Sequence, residues 1–118
     1  MNGKRIQPGW QIEFYTNRRG RSPVLDFING LPARERAAVR NVLRLLREFG
    51  TLLRLPHARP LRDKVWELRP RDIRLLYFAH TDRRLIVLHG FRKKSNKTPA
   101  REIAIAIRRM NEFLENEE

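Results

Sequence analysis

Arg74 stands in the run "IRLLYF" (73–78), a cation among strand-forming apolar residues. A charge in that setting needs a partner, either a nearby acid such as Glu67 or a bound anion. Other cations flank the neighbouring runs. Arg62 and Lys64 lead into "VWELR", which ends at Arg69; Arg92, Lys93, Lys94 and Lys97 follow "RLIVLHGF" (84–91) directly. The chemistry open to such a set is the holding of phosphate. Arginine stays charged and can present two N–H groups to two oxygens at once. Lysine is a point charge, and among other cations its ammonium loses a proton more readily, which suits it to act as a base. Arg69 has a structural alternative, a pair with Asp72. His89 would be a natural acid or base near neutral pH. It lies in an apolar strand, however, where a hydrogen-bonded core histidine is the commoner case. Phe91 can stack on a base or close the core.

The composition agrees with a polyanionic partner. The 118 residues carry a formal net charge of +13, far from the mixed-sign surface that serves solubility alone. The last helix-like stretch, by contrast, holds more acid than base. There is no cysteine, which excludes disulfides and thiolate metal sites and fits a reducing, cytoplasmic setting. His57, His80 and His89 lack metal-like spacing, and no Gly-rich phosphate loop occurs, so neither a metal nor a cofactor is expected. No run of about 18 apolar residues occurs that would span a membrane. The first residues lack the continuous apolar stretch of a secretory signal. The length predicts one domain over 1–118.

The elements that must position these cations can be read from periodicity. "WQIEFYT" (10–16) alternates as a strand does. "SPVLDFING" predicts a short helix with Ser22 as N-cap and Pro23 first. "LPARERAAVRNVLRLLREFG" predicts a longer helix, with a stripe of Leu31, Ala38, Val42, Leu45, Leu46 and Phe49 ending at Gly50. Arg36, Arg40, Arg44 and Arg47 lie largely on its other face and form a second basic surface. "TLLRLPHARPLRD", with two prolines, reads as a connection. Runs 64–69, 73–80 and 84–91 are strands joined by hairpins. Thr98 is expected to cap a last helix with the stripe Ile103, Ala106, Ile107, Met110, Phe113 and Leu114. The class is α+β: helices on one face of a mostly antiparallel sheet of about four strands, the pleat turning cations to the other face. His89 is expected to share a face with Val87 and Phe91.

The set "WELR", "IRLLYF", "LHGFRKK" and "KTP", the last followed by an acidic helix start, resembles the RelE/ParE superfamily of type II toxins. The closest resemblance is to its phage-derived Gp49-like, HigB-type branch. The match covers roughly the C-terminal half. It implies a small RelE-like toxin domain and a ribosome-dependent endoribonuclease that cuts mRNA in the ribosomal A site. It also implies a cognate HigA-like antitoxin with a helix-turn-helix domain. ParE-type relatives share the fold and act on DNA gyrase instead, and a non-catalytic RNA- or DNA-binding module is a third reading, so the site must argue for itself. Cleavage by the RNA's own 2′-hydroxyl needs a phosphate held in line, its charge neutralised, one proton removed and one donated. On this resemblance Arg74, Arg69, Arg62, Lys64, Lys93, Lys94 and His89 form the catalytic set. Arg92, Lys97 and Phe91 contact RNA, and Arg36, Arg40, Arg44 and Arg47 meet the antitoxin. Relatives that place a functional tyrosine near the C-terminus differ here, because the last tyrosine is Tyr77.

Overall fold

The computed structural model describes residues 9–117. The elements run β1 (Gln11–Phe14), α1 (Pro23–Asn29), α2 (Ala33–Phe49), a 3-10 turn (Gly50–Leu52), β2 (Ala58–Arg62), β3 (Val65–Leu68), β4 (Ile73–His80), β5 (Arg84–Arg92) and α3 (Ala100–Asn116). The sheet order is β1-β5-β4-β3-β2. β1 pairs parallel with β5, and the remaining pairs are antiparallel. In the three-residue Thr81–Arg83 connection between β4 and β5, Asp82 and Arg83 both have positive φ, which lets the chain reverse tightly.

Local chemistry sets the helix ends. Ser22 Oγ accepts from the Leu25 amide at 3.2 Å, and Pro23 opens α1 as expected. In α2 the buried residues are Val39, Val42 and Leu46, so Val39 takes the place expected for Ala38. Phe49 remains 43 % exposed. Trp10 covers the end of this helix instead: its amide donates to the Arg47 carbonyl at 2.7 Å. Its indole lies where a Cβ on Gly50 would be, 2.0 Å from that position.

Three expectations need correction. The 58–62 segment, expected as part of a connection, is a strand and brings the sheet to five strands, close to the expected number; Pro60 is tolerated because β2 pairs on one side only. The helices do not share a face. α1 and α2 cover Leu68, Leu75, Tyr77, Leu85 and Val87, whereas α3 covers Val65, Leu76, Phe78, Ile86 and Leu88 on the opposite face. The cations of the second face therefore sit under or beside a helix. Finally, the register shifts between Leu76–His89 and Tyr77–Val87, leaving Leu88 as an extra residue in β5. That bulge turns His89 to the α3 face, away from Val87.

Gly90 belongs to the α1 side. A Cβ there would stand 2.7 Å from Phe27 and 2.9 Å from Leu75 side-chain atoms, so β5 can pass close beneath α1 only with glycine at this position.

Candidate functional site

Glu67 is the centre of the cation cluster. It lies mid-strand in β3 and is fully buried. An ionised carboxylate in such a place must be paired and hydrogen-bonded. Arg59 Nε and Arg69 Nη1 both donate to its Oε2, at 2.9 and 3.0 Å. Arg74 Nε stands 3.9 Å from the same oxygen. The Thr98 hydroxyl donates to Oε1. Four segments thus meet at one side chain: β2, β3, β4 and the loop between β5 and α3.

Arg74 is only 6 % exposed. Its Nη1 donates to the carbonyls of Arg71, at 2.6 Å, and Ile73, at 2.9 Å. Burial, with Arg69 nearby, holds its guanidinium pKa below the usual value. Arg71 has a φ of 52°, a left-handed turn that aims its carbonyl at Arg74. Arg69 and Arg59 are more open, with 23 % and 33 % of their side chains exposed. Arg69 pairs with Glu67 rather than with Asp72.

The loop "KKSNK" is held against this cluster. The Lys93 amide donates to the Asp72 carbonyl at 2.8 Å, which extends the β4–β5 pairing by one residue. Lys93 Nζ reaches Asn96 Oδ1 at 3.4 Å. Arg59 Nη2 donates to the Asn96 carbonyl at 3.2 Å. Thr98 is buried and engaged with Glu67, so it does not cap α3; Pro99 stands at that position without a side-chain bond. Arg59, Arg62, Lys97 and Thr98 line a recess of about 480 Å³ beside the cluster. The structure therefore brings Arg69, Arg74, Arg62, Lys93 and Lys97 to one region, joined through Arg59. Lys94 is exposed on the same loop.

Other candidate residues lie elsewhere or are already engaged. Lys64 lines a separate recess with Arg54, Trp66 and Tyr77. Arg92 turns to α2 and forms a two-pronged pair with Glu35, whose bond raises the guanidinium pKa and lowers that of the carboxyl. His89 Nε2 lies 2.6 Å from Glu102 Oε1, and its Nδ1 lies 3.4 Å from Arg109 Nη1. Burial holds its pKa below the usual value, against the opposing pull of Glu102. Phe91 stacks on the His89 ring, with centroids 5.7 Å apart, and packs against the α3-side core. Tyr77 is buried under α1 and α2, and the Tyr15 hydroxyl donates to Glu112, so neither tyrosine faces the cluster. Among the described residues, no three His, Asp or Glu side chains gather as metal ligands would.

Arg59, Thr98 and the centrality of Glu67 were not evident beforehand. The usable signal was parity: Glu67 and Arg69 alternate with buried Leu68, and β3 must pair with the strand that carries Arg74.

Arg36, Arg40, Arg44 and Arg47 occupy a second surface. They rim a groove of about 770 Å³ between α1 and α2, floored by Phe14, Leu25, Ile28 and Leu43. Arg36 donates to the Leu31 carbonyl and Arg44 to Asn41. None of the four pairs with a carboxylate among the described residues.

The archaeal RelE of the RelE–RelB complex from Pyrococcus horikoshii OT3 superposes with a TM-score of 0.57 at 13% identity, over 71% of this chain and 94% of that one. A chain of the RelBE2 toxin–antitoxin complex from Mycobacterium tuberculosis matches with a TM-score of 0.47 at 23% identity, over 72% and 99% of the two chains. Comparison with curated proteins finds no match. The family described as phage derived protein Gp49-like (DUF891) matches residues 26–111, most of the domain. That match covers most of the chain, which therefore belongs to the phage-derived Gp49-like family, and its arrangement of sheet and helices is similar to that of RelE.

Proposed function

We propose that this protein is the toxin of a type II toxin–antitoxin pair and acts in the cytoplasm as a ribosome-dependent endoribonuclease on mRNA. The observation that carries this reading is the convergence of Arg59, Arg69 and Arg74 on one buried carboxylate, with Arg62, Lys93 and Lys97 around them. Such a cluster suits an RNA phosphate in the A site. Arg69 presents donors outward, and Arg74 supplies charge from beneath. The RNA's 2′-hydroxyl would be the nucleophile, and the cations would stabilise charge developing on the phosphate. Lys93, on the loop held against the cluster, is the candidate for moving the proton. The test is incubation of the purified protein with mRNA on programmed ribosomes, followed by mapping of the ends. Cuts within the A-site codon are the expected result. Intact transcripts with DNA breaks in cells expressing the protein would replace this reading with gyrase inhibition.

The partner in this reading is a cognate HigA-like antitoxin with a helix-turn-helix domain. The arginine-rimmed groove between α1 and α2 supports docking on the helical side: its apolar floor and uncompensated cations fit an acidic amphipathic segment. Reversing Arg40 and Arg44 together to glutamate is expected to weaken antitoxin binding by more than about tenfold while toxicity persists. Affinity and growth arrest are measured separately. Unchanged neutralisation would move the docking site to the cluster around Arg69 and Lys93.

A further inference from the structure

A fully buried carboxylate beneath a phosphate-binding surface calls for an explanation, because it opposes the charge that phosphate needs. Glu67 cannot touch RNA: none of its surface is accessible. Its two oxygens are nevertheless fully used, Oε1 by Thr98 and Oε2 by Arg59 and Arg69. Each of the two arginine bonds fixes one edge of a guanidinium and leaves another donor unbonded. Arg69 gives Nη1 to Glu67, and its Nε and Nη2 have no protein acceptor among the described residues. Arg59 gives Nε to Glu67 and Nη2 to the Asn96 carbonyl and Thr98, leaving Nη1. Without the carboxylate, three neighbouring cations would repel one another and turn toward water.

We propose that Glu67, braced by Thr98, is a positioning residue: it holds Arg59 and Arg69 so that their outer edges receive the oxygens of an RNA phosphodiester. This rests on the nuclease reading above. A residue that merely balanced buried charge would affect folding, and one that merely diluted positive potential would weaken binding and cleavage alike. Positioning makes a different demand. Removing the charge leaves a more cationic cluster that binds RNA at least as well but no longer presents its donors in line.

The experiment compares wild type with Glu67→Gln in ribosome-dependent cleavage. It also measures binding of a fully 2′-O-methylated RNA oligonucleotide, which cannot be attacked by its own hydroxyl, and thermal melting. The expected result is a fall in kcat of about 10²-fold with KM and oligonucleotide affinity unchanged or tighter. A folded Glu67→Gln protein that cuts at the wild-type rate overturns the proposal. So does one whose cleavage and RNA binding fall together. If Glu67→Gln does not fold, Thr98→Val decides, since it keeps every charge and removes only the hydroxyl brace. It should lower kcat by about tenfold at constant KM, and Thr98→Ser should restore it. Unchanged kcat in Thr98→Val, or no recovery in Thr98→Ser, overturns the assignment. A wild-type protein that binds RNA and cuts none overturns the nuclease reading itself, whereas failure confined to the variants overturns only the role of Glu67.

Discussion

Arg69→Ala is expected to slow mRNA cleavage by roughly 10²–10³-fold while the protein stays folded. Arg69 is the cluster arginine whose inner edge is tied to Glu67 and whose outer edge is open, with 23 % of the side chain exposed. A donor held in that way costs little reorganisation when charge develops on the phosphate, so its loss appears in kcat. The fold should lose less. Glu67 would keep Arg59 at 2.9 Å and the Thr98 hydroxyl, and Arg74 would remain 3.9 Å away. A cost of about 1.5–3 kcal/mol is expected for one charged hydrogen bond. Arg69→Lys should recover part of the binding but little of the rate, because an ammonium cannot reproduce the planar fork. Cleavage assays beside thermal melts check both statements; a rate within threefold of wild type would remove Arg69 from the phosphate site.

Arg74→Ala is expected to do something different: it should lower toxicity largely by destabilising the domain. The pleat suggested a cation turned to the sheet face away from the helices. The structure instead places it 6 % exposed, bonded to the Arg71 and Ile73 carbonyls and facing Glu67. Alanine would remove the donors those carbonyls receive, leave a void and weaken the compensation of a buried carboxylate. A loss of about 3 kcal/mol follows from these contributions. That is a large share of the roughly 5–15 kcal/mol that holds such a domain together, and corresponds to a fall in Tm on the order of 10 °C. Melting and cleavage must therefore be measured on the same preparation. A variant with wild-type Tm would show that these bonds contribute little to stability.

The two substitutions separate roles that the linear chain presents alike. Arg69 and Arg74 are both arginines next to apolar strand residues. Only their depth relative to α3 and the β3–β4 turn distinguishes a group that meets the ligand from one that supports the group that does. The same holds at the end of β5. Arg92 and Lys93 are adjacent, and a strand turns adjacent side chains to opposite faces. Arg92 consequently reaches Glu35 on α2, whereas the Lys93 amide joins Asp72 and its side chain stays with the 93–97 loop.

By itself, the sequence determined the elements whose order is a local matter. β4 and β5 follow from short apolar runs bounded by turn residues, and α2 and α3 from a period of about 3.6, all set within a few residues. It also determined that the net charge is strongly positive, since arginine and lysine remain cations wherever the fold places them. Tertiary structure decided the rest. β2 was hidden because Pro60 masks a strand that only an edge position allows. His89 changed face because one extra residue in β5 reverses the alternation beyond it. The Glu67 centre was the least legible, for its bond to Thr98 spans 31 residues and Arg59 reaches Thr98 across 39. Pairing over such separations depends on register and on which helix covers which face. No local propensity encodes those; they arise when the apolar faces of the sheet are buried together and the charges between them must find partners.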